Sequence, residues 1–199
     1  MDCLKLCNGL NALVLLLLVL SAFLSVLKFG NFFGHSLDDY EKGLTEGKDD
    51  VYDIHGIFGS TDSGQIHDII QTQYLISDRR KTFARIAHVS AIVISAFILL
   101  FYLEDWQSVG TSLSFTFGLT FAVICLCLFS WISYRNDVKQ NWDMQADLIR
   151  DMNEIVGKDL AISIPDFRGS YEIGFWLLVS SLFLLIVASV VAFTGKCSA

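Results

Sequence analysis

A chain of 199 residues that is 53% hydrophobic, holds a single proline and has a formal net charge of −7 carries more apolar surface than a soluble domain of this size can hide. The acidic balance excludes nucleic acid as a partner and polybasic docking on an anionic lipid surface, since both require clustered Lys and Arg. The expected solvent is the lipid bilayer: four apolar runs of about 18 residues or more occur near 10–27, 84–103, 111–131 and 173–194.

The first run follows a short N-terminal stretch with Lys5, and Val19, Leu20 and Ser21 would make a tolerable cleavage site, so it resembles a secretory leader in pattern. It is read as a retained span. Cys3 and Cys7, just before it, are candidates for lipidation if that face is cytosolic. The large polar loop 28–83 opens with acids (Asp38, Asp39, Glu41, Glu46, Asp49, Asp50, Asp53) spread among Gly43, Gly47, Gly56 and Gly59, and 28–64 reads as irregular. These acids miss the spacing that wraps calcium, and His35, His55 and His67 are not spaced as metal ligands, so neither metal nor cofactor is expected.

Asp62 and Ser63 can cap a helix, and apolar residues then recur at 66, 69, 70, 74, 76 and 83. The second span is therefore expected to begin as a water-exposed helix near Gln65. Arg79, Arg80, Lys81 and Arg85 read as a juxtamembrane anchor. His88 lies about one turn inside this span; an ionisable group there is a functional candidate by default, although a neutral histidine bonded to a neighbouring helix needs no function.

Only 104–110 separate the second span from the third, which makes the pair a membrane hairpin. Ser114, Gly118 and Ala122 on the third span, and Ala91 with Ser95 on the second, form small-residue seams of the kind that let helices pack closely in lipid. Ser112, Thr116 and Thr120 are candidate pore-lining residues should several copies surround a channel. Cys125 and Cys127 are one residue short of a C-x-x-C pair and face different ways on a helix.

The second loop, 132–172, carries an amphipathic helix. Val138, Trp142, Gln145, Ile149, Met152 and Val156 alternate steps of four and three, so Val138, Trp142, Ile149, Met152 and Val156 are the candidate partner interface. Gly157 ends that helix, 160–164 is a short apolar strand or interfacial piece, and Pro165 marks the turn before an uninterrupted fourth span. The expected fold is thus an all-α integral membrane protein: one domain over 1–199, a four-transmembrane-helix bundle with spans 2 and 3 extended as an antiparallel helical pair beyond the bilayer.

Lys and Arg are distributed twelve to two between the large loops and the termini with the short turn, which favours cytosolic loops in the plasma membrane or another eukaryotic membrane. Lys5 and the free amine before the first span pull the other way. The order of four spans, short termini, a larger first loop and a smaller second one is similar to the claudin and stargazin-like tetraspan layout. That similarity is one of spacing: the first loop, without Trp or Cys, lacks the W…GLW…C…C signature. Tetraspanins are excluded by the missing CCG, and connexin and innexin loops carry cysteines absent here.

No span holds Asp, Glu, Lys or Arg in its middle, which argues against an enzyme or an ion-coupled carrier. The expected function is non-enzymatic, that of an accessory, scaffold or assembly subunit whose partners are other membrane-protein subunits or copies of itself. The alternative is a pore-forming channel subunit assembling as a homo-oligomer.

Overall fold

The computed structural model describes residues 3–30, 52–55, 60–61, 78–103, 113–156, 164 and 166–194. Four helices dominate it: α1 (Cys3–Phe23), α2 (Asp78–Leu103), α3 (Leu113–Val156) and α4 (Ile173–Thr194). Each is long and apolar enough to cross a membrane, the pattern of a multi-pass membrane protein.

The helices form a ring in which α1 packs chiefly on α4 and α2 on α3, with α1–α2 and α3–α4 contacts closing it. The faces that meet follow steps of three and four. On α1 the buried residues are Cys7, Asn11, Val14, Leu18 and Ser21; on α3 they are Phe117, Thr120, Ile124, Cys127, Trp131, Tyr134 and Val138. Leu16, Leu20, Val93, Phe97, Leu126 and Phe129 point outward, the pattern expected of helices apolar enough to cross a membrane. Neighbouring helices run antiparallel. Cys7 Sγ donates to Ala188 O across α1–α4 (3.9 Å), Asn11 Nδ2 to Ser95 O across α1–α2 (3.0 Å), and Cys127 Sγ to Ala84 O across α2–α3 (3.4 Å).

An all-α reading misses a small antiparallel sheet at one end of this bundle. Its strands are β1 (Ser25–Gly30), β2 (Tyr52–His55), β3 (Ser60–Thr61) and β4 (Arg168–Tyr171), in the order β3-β2-β1-β4. Residues 24–27, expected at the end of the first span, leave the helix at Leu24 and enter β1, and 28–64, expected to be irregular, contributes the end of β1 and all of β2 and β3. The helix also starts earlier than expected, at Cys3. Apolarity alone cannot say where a helix stops, and strands this short are held by pairing that is distant in sequence: Lys28 faces Asp53 on one side and Ser170 on the other.

β1 follows α1 directly and β4 precedes α4 directly, so the sheet is anchored by two of the spans. Glu172 N donates to Val26 O (3.0 Å) as the chain passes from β4 into α4. Gly174 makes this junction possible, because a Cβ there would lie 2.7 Å from Ser25 O and 2.9 Å from Leu24 O. The third span continues unbroken through Val156, as expected; the expected helical start near Gln65 and its cap at Asp62 and Ser63 lie outside the described residues.

Candidate functional site

The bundle interior is lined by a sparse set of buried polar side chains: Asn11, Ser21, His88, Ser95, Thr120 and Ser181 are all fully buried. Several serines answer their own hydroxyl within one helix. Ser21, Ser130, Ser181 and Ser189 donate to the carbonyls of Leu18, Leu126, Leu178 and Leu185 at 2.7–2.8 Å. His88 Nε2 lies 2.8 Å from Ser21 Oγ and 2.9 Å from Leu18 O. Since the Ser21 proton is already given to Leu18 O, the consistent tautomer carries its proton on Nε2 and donates to this pair. His88 thus ties α2 to α1. Among the described residues Nδ1 of His88, Oδ1 of Asn11 and Oγ of Ser95 have no partner.

Ala91 and Ser95 are buried between helices. Gly118 and Ala122 are exposed on the outside of the ring, and a Cβ built on Gly118 meets nothing within 4 Å. The face that α3 turns inward is the one bearing Phe117, Thr120, Ile124 and Cys127, one residue and about 100° away from the small-residue seam. Thr120, a candidate for a pore wall, is buried within the single bundle. Ser112 and the side chains of Ser114 and Thr116 lie outside the described residues. Cys7, a candidate for lipidation, is buried against α4 on the inward three-and-four face of α1; the Cys3 side chain is outside the described set.

Where α3 emerges from its apolar stretch, aromatic residues lock the sheet onto it. Phe29 of β1 meets Tyr134 edge-on (6.4 Å between ring centres) and Phe167 (6.3 Å), and Trp142 packs on Phe167 (5.9 Å). Arg135 lies over the rings of Tyr171 (5.0 Å) and Phe167 (5.9 Å) and donates through Nε and Nη2 to Gly169 O (3.3 and 2.9 Å). The guanidinium fork therefore caps β4 on the side away from β1. On the opposite flank Arg80 pairs with Asp137 (2.6 Å) and bridges α2 to α3.

Of the expected partner interface, Val138 is buried, Trp142 and Ile149 are half-buried, Met152 is exposed, and the Val156 side chain lies outside the described residues. The inner part of that stripe is consumed within the chain, by Phe167 among others. The bare apolar residues of the projection are Met144, Leu148, Met152 and Ile155, with exposures of 62%, 63%, 46% and 85%. Their steps of four, four and three mark one helix face. The same spacing was readable in the sequence, but it competed with the neighbouring stripe led by Trp142. Among the described residues no group of three or more His, Cys, Asp or Glu could hold a metal ion. No family model matches this chain, and a search of curated proteins finds no match.

Proposed function

We propose that this protein is a non-enzymatic tetraspan subunit that serves in the assembly or support of a larger membrane complex. The observation that carries this reading is α3. It is 44 residues long, about 66 Å at 1.5 Å per residue and roughly twice the hydrocarbon thickness. Its distal part stands clear of the apolar stretch with one face covered by the chain's own residues and another face bare. Inside the spans Ser21, Ser130, Ser181 and Ser189 bond to carbonyls of their own helices and His88 and Asn11 reach a neighbouring helix, contacts suited to packing. The Lys and Arg count favours placing the projection and the sheet in the cytosol.

The channel alternative asks Ser112, Thr116 and Thr120 to face water. Burial of Thr120 between helices favours the accessory reading over it. The discriminating experiment is native mass spectrometry of the protein extracted from its own membrane. The expected species is this chain with an unlike protein at fixed stoichiometry; a closed ring of identical chains that passes ions in liposomes would overturn the proposal.

A further inference from the structure

The distal half of α3 carries two parallel ridges. Met144, Leu148, Met152 and Ile155 form the bare apolar one. Asp147, Asp151 and Glu154 each precede one of its members by a single residue and so form an acidic ridge about 100° round the helix. Asp147 is engaged by Arg150 (2.6 Å) on the same helix, and Asp143 by Lys139 (2.8 Å). Asp151 and Glu154 have no ion-pair partner among the described residues.

Three occupants compete for this face, and the charges decide among them. On the accessory reading the third span ends near Trp131, which leaves lipid too far away: Met144 and Ile155 lie 13 and 24 residues beyond it, about 20 and 36 Å along the axis. An acidic ridge also repels anionic headgroups. A second copy in the same membrane would present its α3 parallel to the first. Packed through Leu148, Met152 and Ile155 about a two-fold axis, each copy would lay its acidic ridge beside the other's flank of Gln145 and Ile149, which offers Asp151 and Glu154 no cation. A helix bearing Lys or Arg at that level supplies one.

We propose that this face of α3 docks an amphipathic helix of a partner protein whose apolar stripe is edged by Lys or Arg. The mode is a helix laid along an apolar strip, with contact area supplying affinity and the acid ridge supplying register and choice of partner. This inference rests on the accessory reading above and names the chemistry of its partner.

The test uses the full chain in nanodiscs of phosphatidylcholine and two labelled 18-residue helical peptides with the same leucine face, one edged by Lys and one by Glu. Anisotropy, corrected for empty nanodiscs, is expected to show the Lys-edged peptide binding at least tenfold more tightly. Leu148→Glu is expected to weaken it at least tenfold, and the surface double variant Asp151→Lys, Glu154→Lys to reverse the preference without touching the core. Equal binding of both peptides, or indifference to Leu148→Glu, overturns the proposal. So does a native-mass dimer that Leu148→Glu abolishes, which assigns the face to a second copy. So does efficient disulfide formation between Ile69→Cys and Leu148→Cys within one chain, which assigns it to the segment preceding α2. An unlike subunit that stays bound to the Leu148→Glu variant would sink this docking site while leaving the accessory reading intact.

Discussion

Two glycines in this protein are expected to answer the same substitution with opposite signs. At Gly174 an added Cβ would stand 2.7 Å from Ser25 O and 2.9 Å from Leu24 O, both backbone atoms at the corner where α1 gives way to β1. Neither can swing aside as a side chain would, so the start of α4 must back away from the α1–β1 corner. Strain of this kind costs about 1–3 kcal/mol, while replacing Gly by Ala inside a helix recovers at most about 1 kcal/mol. The expected net effect of Gly174→Ala is a loss of about 1–2 kcal/mol. At Gly118, where nothing lies within 4 Å, only the propensity gain remains, and Gly118→Ala is expected to be neutral or stabilising by up to about 1 kcal/mol. Reversible unfolding of both variants in mixed micelles measures the difference. Hydrogen exchange at the Glu172 amide, which donates to Val26 O, locates the damage. If Gly174→Ala unfolds at the same point as wild type and Glu172 exchanges no faster, the close approach of α4 to the α1–β1 corner is wrong.

Arg135→Ala removes two hydrogen bonds to Gly169 O and the cover over Tyr171 and Phe167, so it is expected to cost about 1–3 kcal/mol and to speed amide exchange selectively in 168–171. Arg135→Lys should restore less than half of that, because one ammonium cannot reproduce the fork. A double-mutant cycle on His88→Leu and Ser21→Ala is expected to give a coupling energy of about 0.5–2 kcal/mol, the range for hydrogen bonds between helices in lipid; additive losses would deny the contact seen at 2.8 Å. Cys7 and Cys127, both fully buried, are expected to resist a water-soluble maleimide in the folded protein and to react only on unfolding, as mass spectrometry of the labelled chain would read. Labelling of Cys7 at the rate of a free thiol would refute its place against α4.

The four helices long and apolar enough to span a membrane were legible because lipid imposes a coarse demand: about 20 apolar residues in a row, whatever their neighbours. The unbroken third helix was legible too, because Val138, Trp142 and Ile149 keep the helical period beyond the apolar run. Both depend on what lies near in sequence. The sheet does not, since Leu27 is paired with Ile54 and Tyr171, and no local pattern in a four-residue strand announces a partner so far along the chain. Which face of the third span turns inward escaped for a related reason. In a soluble helix apolarity marks the buried side, but here every side is apolar, so Gly118 and Ala122 attracted attention as a seam while α3 buries Phe117, Thr120 and Ile124 instead. The sequence by itself thus determined four helices long and apolar enough to cross a bilayer, and a third helix that runs on unbroken past its apolar stretch. Only the tertiary structure decided which stripe of that helix the chain covers for itself, with Phe167 laid over Trp142, and which stripe it leaves bare.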